Sequence, residues 1–532
     1  MMLWKLIRGL LHPGSKQHLE SQGSIRQRDS ASRASAADGG GNTTGSFEAF
    51  LHRAETLAKA GQLGAALECY RECVQAYPQA LDAYLGMGSV LVDLWSIDEA
   101  VAAYSRALEL VPRSGTIFSA LLFYSHYLLP ADPRRMFDLH RRYGEMMRER
   151  SPHRHDQFAL APDPERRLRI GYVSPNFSRH SVGYFVEPVI RCHDRECYEV
   201  YCYYTHRLSD ETTERMRRLA DGWRDIADAT DDAVEKMIRD DKIDILIDLA
   251  GHSKGNRLDV FARKPAPIQM TWLGYPDTTG LDAVDFRITD YIVDPEPDAK
   301  HRHTERLLNI DGGFLCYQPP QDSPPVSERD SSASGIVFSS FNNVAKLNEP
   351  TIRTWVKILA AVPGSRIVMK AASLSYPDTV DRVLDCFERN GIDPARVELR
   401  GWITDRREHL ELYASSDIAL DTFPYNGTTT TCEALWMGVP VISCAGDVHM
   451  SRVGAMILGC VGLNDFIARS AEEYADMAIA LARDDVRRRS LRASLRNKLL
   501  ASPLLDHEAF TRKLERHFRQ GWKAWCDRQH AA

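Results

Sequence analysis

From residue 168 onward, short apolar and β-branched runs alternate with amphipathic segments of helical period. Turn-forming residues bound these runs, which is typical of buried strands joined by helices. The predicted strands of a first series are 168–173, 198–204, 243–249 and 267–275, and those of a second series are 336–341, 365–370, 397–401, 417–421 and 440–444. Segments such as 349–361 and 376–389 are predicted helices. The alternation predicts parallel sheets covered by helices.

A stretch rich in Pro and Ser, at 317–335, separates the two series of strands. We therefore expect two doubly wound α/β halves that face each other, one at 165–320 and one at 333–530. Ligands are expected at the carboxyl ends of the strands, in the cleft between the halves.

Residues 46–150 carry a different pattern, a repeat with a period of 34 residues. Pairs of similar residues separated by this period are Phe50 and Tyr84, Ala66 and Ala100, Tyr70 and Tyr104, and Pro78 and Pro112. Small residues permit close helix approach and each Pro ends a helix, as in tetratricopeptide repeats. A weaker third unit at 115–148 is expected to cap the stack. The module either recognises proteins or peptides in its groove or serves as a buttress or dimerisation surface.

The first 45 residues show neither pattern. Residues 1–12 place Leu and Ile side chains on one helical face, with Lys5 and Arg8 elsewhere. This amphipathic stretch is either a weak membrane-surface contact or, alternatively, a frayed terminus or a docking helix. Residues 13–45 are rich in Ser, Gly, Ala and Arg, so we expect a disordered linker. No convincing signal-peptide cleavage site follows, and secretion is not expected.

Composition argues against two classes of protein, dedicated nucleic-acid binders and membrane-spanning proteins. The 532 residues carry 67 Lys and Arg against 73 Asp and Glu, a formal net charge of −6 that argues against a dedicated nucleic-acid binder. The longest apolar stretch, 434–446, is too short to cross a membrane. Eleven cysteines are scattered without paired C-x-x-C spacing, which predicts reduced thiols and a cytoplasmic location.

The strongest local chemistry lies at 421–433, in the sequence DTFPYNGTTTTCE. A strand ends there, Gly427 permits a turn, and Thr428–Thr431 begin a helix whose free N–H groups can bind an anion. Glu433 lies on the same helical face as Thr429 and can accept hydrogen bonds from both hydroxyls of a ribose. An ordinary helix N-cap with a first-turn carboxylate is the alternative explanation.

Other candidate residues follow neighbouring strands. Lys346 comes directly after the first strand of the second half, where a cation can neutralise a diphosphate. Asn343, Arg406 and His409 are expected to line the same crevice, and the histidine can stack on or hydrogen-bond with a base. In the first half, His180 can act as a base or orient an acceptor. Each of these side chains also fits an ordinary loop or surface role.

The turn at 272–280, WLGYPDTTG, contains Gly274 and Pro276. It either frames a sugar through backbone contacts or is a structural crossover. Neither half contains a D-x-D pair, an H-E-x-x-H sequence or another close spacing of metal ligands. We therefore expect chemistry that needs no metal.

Several long strings together resemble the O-GlcNAc transferase and SPINDLY family of inverting glycosyltransferases. The strings are 168–185, 241–252, 264–290, 338–346 and 421–442. They occur in the family's order behind tetratricopeptide repeats, over about residues 113 to 500. The resemblance implies a GT-B fold, with the first half on the acceptor side and the second half binding a nucleotide sugar. It also implies an enzyme that transfers the sugar to Ser or Thr hydroxyls of proteins, with the nucleotide sugar as co-substrate and no other cofactor.

The resemblance assigns roles residue by residue. Glu433 would bind the ribose, and His180 matches the family's active-site histidine. The positions that match diphosphate contacts are Lys346, Thr429 and Thr430. The positions that match base contacts are Asn343, Arg406 and His409.

Two departures from the animal transferases bear on the donor. This chain has Thr428 where they have a histidine, and Asp244 where they have a further active-site histidine. Both changes, with FLCY at 314–317, are closer to the plant SPINDLY branch, part of which resembles protein O-fucosyltransferases. We favour UDP-GlcNAc as the donor. The alternatives are a transferase that uses GDP-fucose and a non-catalytic scaffold that senses a nucleotide sugar.

Overall fold

The computed structural model of the chain describes residues 46–129, 132–151, 154–329 and 335–531. One compact unit comprises the described residues up to Leu110 with Tyr376–Asp378, and the other holds Val111–Ser375 and the chain from Thr379. The predictions for residues 1–12 and 13–45 concern segments outside the described residues. Across the described ranges, every helix is too short or too polar to cross a membrane.

The first unit consists of two helix pairs. Its helices are α1 (Phe47–Lys59), α2 (Leu63–Ala76), α3 (Leu81–Asp93) and α4 (Ile97–Leu110). Ala66 and Ala100 are fully buried, as the repeat predicted. The Tyr70 ring lies over Gly86, where an added Cβ would come within 2.4 Å of it. The recurring tyrosines therefore pack against positions that have no room for a side chain.

Two further helices, α5 (Gly115–Ser125) and α6 (Pro133–Arg150), open the second unit. The Ser114 hydroxyl accepts a hydrogen bond from the first turn of α5, and Asp132 accepts two from the first turn of α6. The segment 115–148 was predicted to be a third repeat unit that caps the stack. In the structure it belongs to the same compact unit as the α/β halves.

The first α/β half is a seven-stranded parallel sheet of order β3-β2-β1-β4-β5-β6-β7. Its strands are β1 (Leu168–Ser174), β2 (Tyr198–Tyr204), β3 (Gly222–Asp225), β4 (Ile245–Asp248), β5 (Ile268–Thr271), β6 (Phe286–Thr289) and β7 (Arg306–Asn309). Its helices are α7 (Ser181–Cys192), α8 (Glu211–Leu219), α9 (Asp231–Asp240) and α10 (Leu258–Ala262). Strands β4 and β5 are buried along their whole length, because helices cover both faces of a parallel sheet.

The second half is a six-stranded parallel sheet of order β10-β9-β8-β11-β12-β13. Its strands are β8 (Val337–Ser340), β9 (Arg366–Lys370), β10 (Val397–Arg400), β11 (Ile418–Leu420), β12 (Val441–Cys444) and β13 (Ile467–Ala468). Its helices are α11 (Glu349–Ala361), α12 (Pro377–Arg389), α13 (Arg406–Glu411), α14 (Thr429–Trp436), α15 (Val453–Cys460), α16 (Ala471–Arg483) and α17 (Asp485–Leu500). Both sheets reverse their strand order at the first strand, which places a ligand crevice there. The predicted fold class is confirmed.

Every strand predicted from the sequence is present, but β3, β6, β7 and β13 were missed. These strands have two to four residues and lie toward the edges of their sheets. Polar residues interrupt them, for example Arg287 in β6 and Arg306 in β7. They therefore lack the continuous apolar run by which buried strands are recognised.

A final helix, α18 (His507–Ala531), returns to the first half. The buried Glu515 carboxylate accepts hydrogen bonds from His193 Nδ1 at 3.0 Å and from the Asp194 N–H at 2.9 Å. On its other side, His193 Nε2 accepts from the Tyr172 hydroxyl at 2.8 Å. This chain of hydrogen bonds fixes α18 against the first sheet.

Replacing Glu515 tests that attachment. We expect Glu515→Ala to lower the free energy of unfolding by about 2 kcal/mol, because it leaves two buried donors without an acceptor. Glu515→Gln keeps an acceptor oxygen and should cost less. Urea unfolding followed by circular dichroism measures both variants, and equal losses would contradict this account.

Candidate active site

The candidate site is built at the carboxyl ends of β8 and β11, which are neighbours in the second sheet. Asp421 follows β11 and is buried. Its Oδ1 accepts hydrogen bonds from the Gly427 N–H at 2.6 Å and from Asn342 at 3.1 Å, and its Oδ2 accepts one from Ser443 at 2.7 Å. Burial raises the pKa of Asp421 to about 6, although these donors oppose the rise. The carboxylate thus closes a tight loop that leads into α14.

Close packing explains Gly427, rather than the turn that sequence analysis expected. A Cβ at this position would lie 2.5 Å from Thr430 Oγ1 and 2.7 Å from Asn342 Oδ1. These two atoms are themselves hydrogen-bonded, with the Thr430 hydroxyl donating to Asn342 at 2.6 Å. Asn342, which sequence analysis did not single out, therefore joins the loop after β8 to the start of α14.

The amino end of α14 carries the threonine run. Thr428 is the N-cap residue, but within the described structure its hydroxyl accepts no hydrogen bond from the first turn. Thr428, Thr429 and Thr430 are half-buried, whereas Thr431 is buried. Because Thr430 already donates to Asn342, the hydroxyls of Thr428 and Thr429 remain for an anion at this helix end.

Lys346 ends a short 3-10 helix, Val344–Lys346, directly after β8. Its Nζ donates to the Asn426 carbonyl at 2.7 Å and lies 4.1 Å from the centre of the Tyr425 ring. Burial lowers the pKa of Lys346 to about 8, against the opposing effect of Asp421. The ammonium group therefore contacts the loop that begins α14, as a phosphate-binding cation requires.

Tyr425 is a second residue of the site that sequence analysis missed. Its ring stacks on that of Tyr127, with centroids 5.2 Å apart and planes 14° apart. Tyr127 lies just after α5. The loop that leads into α14 therefore packs, through Tyr425, against the helical segment that opens this unit. The aromatic ring within DTFPYNG was the available signal, but its partner is about 300 residues away in the sequence.

Glu433 and His409 meet beside this helix. Glu433 is buried, and its Oε2 accepts a hydrogen bond from His409 Nε2 at 3.0 Å. His409 Nδ1 is buried and has no hydrogen-bond partner among the described residues. The imidazole therefore offers an unused acceptor nitrogen for a bound group, while its other nitrogen holds the carboxylate in place.

Arg406, at the start of α13, reaches across the cleft to the first half. Its guanidinium lies 3.7 Å from the centre of the Tyr184 ring on α7. Its Nε and Nη2 atoms are buried without hydrogen-bond partners in the part of the chain described. Asn343, by contrast, is exposed and uses its side-chain oxygen to accept the Ala345 N–H. Arg406 is thus held in the crevice, whereas Asn343 sits at its rim and caps a short helix.

His180 is the N-cap residue of α7. Its Nδ1 accepts the Val182 N–H at 3.2 Å, and burial lowers its pKa to about 4. The neutral ring therefore carries its proton on Nε2. In this state His180 can donate a hydrogen bond and orient an acceptor, but Nε2 has no lone pair with which to act as a base.

The turn after β5 contains the candidate residues Gly274 and Pro276, and packing explains why the first of them is a glycine. An added Cβ at Gly274 would lie 2.0 Å from the Leu249 carbonyl oxygen, so this glycine permits two loops to touch. Pro276 lines a cavity together with Asp277 and His126. Close packing therefore explains Gly274 as a structural residue of the crossover. Of the two candidate residues, Pro276 is the one that lines a cavity.

Asp244 is not part of the site. It precedes β4 and so lies at the amino edge of the sheet, away from the carboxyl ends that form the crevice. Its buried carboxylate pairs with Arg166 through both oxygens and accepts the Arg169 N–H at 2.8 Å. In this chain, the position at which the animal transferases have a histidine therefore holds a buried ion pair.

Comparison with known proteins identifies the family. The profile of Glycosyl transferase family 41 matches residues 145–319 and 326–514, and a tetratricopeptide repeat profile matches residues 47–79. The chain belongs to glycosyl transferase family 41. The predicted family resemblance is confirmed.

Curated members of this family are similar over most of the chain. A Petunia hybrida protein named "Probable UDP-N-acetylglucosamine--peptide N-acetylglucosaminyltransferase SPINDLY" is 40% identical over 425 residues, which cover 79% of this chain and 45% of that protein. An Arabidopsis thaliana protein named "Probable UDP-N-acetylglucosamine--peptide N-acetylglucosaminyltransferase SEC" is 31% identical over 376 residues. These residues cover 68% of this chain and 38% of that protein. This family 41 chain thus spans less than half the length of these relatives.

A solved structure of an O-GlcNAc transferase mutant from Thermobaculum terrenum matches with a TM-score of 0.79 and 35% identity. The match covers 91% of this chain and 98% of that one. The shared architecture extends over both α/β halves, which supports the GT-B assignment.

Replacing Gly427 tests the packing of the anion site. Gly427→Ala forces a Cβ against Thr430 and Asn342, so we expect the affinity for inorganic diphosphate to fall at least about tenfold, the equivalent of one lost hydrogen bond to a charged group. Gly459→Ala is the control, because its Cβ would meet its nearest neighbour at 3.6 Å. Calorimetric titration with diphosphate distinguishes the two, and unchanged affinity in Gly427→Ala would rule out the close-packed geometry.

Proposed function

We propose that the chain is an inverting protein O-glycosyltransferase that transfers GlcNAc from UDP-GlcNAc to Ser and Thr hydroxyls of proteins. The observation that carries the proposal is the convergence of Lys346, the amino end of α14 and Glu433 in one crevice. A nucleotide sugar presents a diphosphate and a ribose, which need a cationic cradle and an acceptor carboxylate. The names of the plant relatives support UDP-GlcNAc as the donor.

The proposed reaction is a single displacement. The acceptor hydroxyl attacks the anomeric carbon from the face opposite the nucleotide, and the bond from that carbon to the diphosphate breaks. The proton of the hydroxyl passes to an oxygen of the departing diphosphate, so no side chain has to act as the base. Negative charge grows on the leaving diphosphate, where Lys346 and the N–H groups of α14 stabilise it. His180, through its Nε2–H, orients the acceptor side.

The remaining elements of the proposal follow from the same resemblance. The repeats of the first unit are proposed to bind acceptor proteins, a role that the tetratricopeptide match supports. We further propose that transfer needs no metal and no nucleic acid, and that the chain works in the cytoplasm. The eleven cysteines, all within the described residues, are free, as a reducing compartment favours.

Nucleotide binding tests the function and the donor together. We expect calorimetry to show that the chain binds UDP in preference to GDP, and that Lys346→Ala and Glu433→Ala both lose this binding. Lys346→Ala should also lower UDP-GlcNAc turnover by about 100-fold or more while it stays folded, as loss of one charge-stabilising donor does. Lys236→Ala, at an exposed lysine of α9, is the control.

Each alternative predicts a different result in that titration. Selective GDP binding would move the donor to GDP-fucose. No binding of either nucleotide, or turnover like the wild type in a folded Lys346→Ala variant, would overturn the proposal in favour of a scaffold.

Two substitutions separate the capping role of His180 from its role in transfer. His180→Asn keeps an N-cap acceptor, so we expect its melting temperature to stay close to that of the wild type. Its turnover should nevertheless fall, because the Nε2–H donor is lost. His180→Ala should lose about 1 kcal/mol of stability as well. Full turnover in the Asn variant would restrict His180 to capping.

A further inference from the structure

A buried polar cluster joins α5 and α6 to the turn after β5, outside the anion site. Two histidines share one phenol oxygen there, because His126 Nε2 lies 2.7 Å and His140 Nε2 lies 2.8 Å from the Tyr275 hydroxyl. His126 Nε2 is also 3.8 Å from a carboxylate oxygen of Asp277. One ligand atom each from His126, His140 and Asp277 lie within 4.8 Å of one another.

The hydrogen bond of His140 to the backbone fixes which of its two nitrogens has the lone pair. His140 Nδ1 lies 2.7 Å from the Met136 carbonyl, one helical turn earlier, so its proton is on Nδ1 and its lone pair on Nε2 faces the cluster. An imidazole whose far nitrogen donates to a carbonyl is the usual arrangement of a metal-bound histidine.

A third histidine repeats this arrangement beside the cluster. His303 Nδ1 lies 2.8 Å from the Ala299 carbonyl, and its Nε2 is buried with no hydrogen-bond partner within the described ranges. His303, His126 and Asp277 line the same cavity. A hydrogen-bonded chain through Tyr275 satisfies the first two histidines, but it leaves this third nitrogen unexplained.

The donor set and its spacing favour one class of ligand. A tetrahedral zinc ion with bonds of about 2.0 Å holds its ligand atoms about 3.3 Å apart. The two hydrogen bonds to Tyr275 are 2.7 and 2.8 Å long, the His126 and Asp277 atoms are 3.8 Å apart, and the ligand atoms of His126, His140 and Asp277 all lie within 4.8 Å of one another, so small shifts bring the four atoms to that spacing. Two imidazole nitrogens with oxygen ligands suit Zn²⁺, whereas Mg²⁺ and Ca²⁺ require oxygen ligands throughout.

We propose that His126, His140 and Asp277, with the Tyr275 oxygen as the fourth ligand, bind a divalent first-row transition-metal ion such as Zn²⁺. With four protein ligands the site is closed, so the ion is structural and takes no part in sugar transfer. It cross-links α5 and α6 to the turn that carries Gly274 and Pro276. The proposal does not depend on the proposed function, and it leaves the expectation of metal-independent transfer as it stands.

The test uses the full chain without an affinity tag, stripped of metal by dialysis against a chelator. Titration with Co²⁺ should produce the visible absorption of four-coordinate cobalt at one equivalent, and calorimetry with Zn²⁺ should give the same stoichiometry. We expect Asp277→Asn and His126→Gln to weaken binding by more than about 100-fold, the upper end of the loss caused by removing an outer-shell partner. His301→Gln, at an exposed histidine nearby, should bind as the wild type does.

Stability provides an independent readout. Zn²⁺ should raise the melting temperature of the wild type and of His301→Gln, but not that of Asp277→Asn. The Asn side chain is nearly the same shape as Asp, so this variant keeps the test valid even where His126→Gln does not fold. The proposal is overturned if the wild type shows no saturable binding, or if folded Asp277→Asn binds the ion as tightly as the wild type.

Discussion

The carboxylate of Asp421 is the group on which the loop that leads into α14 depends. It accepts hydrogen bonds from the Gly427 N–H, the Asn342 amide and the Ser443 hydroxyl. The Tyr474 hydroxyl also donates to the backbone carbonyl of Asp421, at 2.9 Å. These bonds join three strand ends to the start of α14. A buried carboxylate is costly unless such donors surround it, so the loop conformation and the charge stabilise each other.

Sheet topology explains why these distant residues meet. β8 and β11 pair in parallel, so the residues that follow them leave the same edge of the sheet side by side. Lys346 and Asn342 come from the first of these loops, and the start of α14 comes from the second. The cation and the helix end therefore lie side by side because strand order places them together.

The same logic decides what could be predicted from the sequence. Buried strands and the 34-residue period are local patterns, and the position of Lys346 just after a strand was enough to predict that it lies near the loop leading into α14, whose Asn426 carbonyl it contacts. Asn342 and Tyr425 were missed because their importance comes from tertiary partners far away in the chain. The resemblance marked Asp244 as a departure from the animal transferases, but it could not show the Arg166 side chain that pairs with it. The short strands β3, β6, β7 and β13 were missed because polar residues interrupt their apolar runs.

Histidine chemistry shows why side-chain identity alone leaves roles open. A histidine ring has two nitrogens, and the partner of one decides what the other can do. In His180, Nδ1 accepts a backbone N–H, so Nε2 carries the proton and donates. In His140, Nδ1 lies against a backbone carbonyl and carries the proton, so Nε2 accepts. The two rings are chemically identical in the sequence, yet the backbone group opposite Nδ1 makes Nε2 a hydrogen-bond donor in His180 and an acceptor in His140.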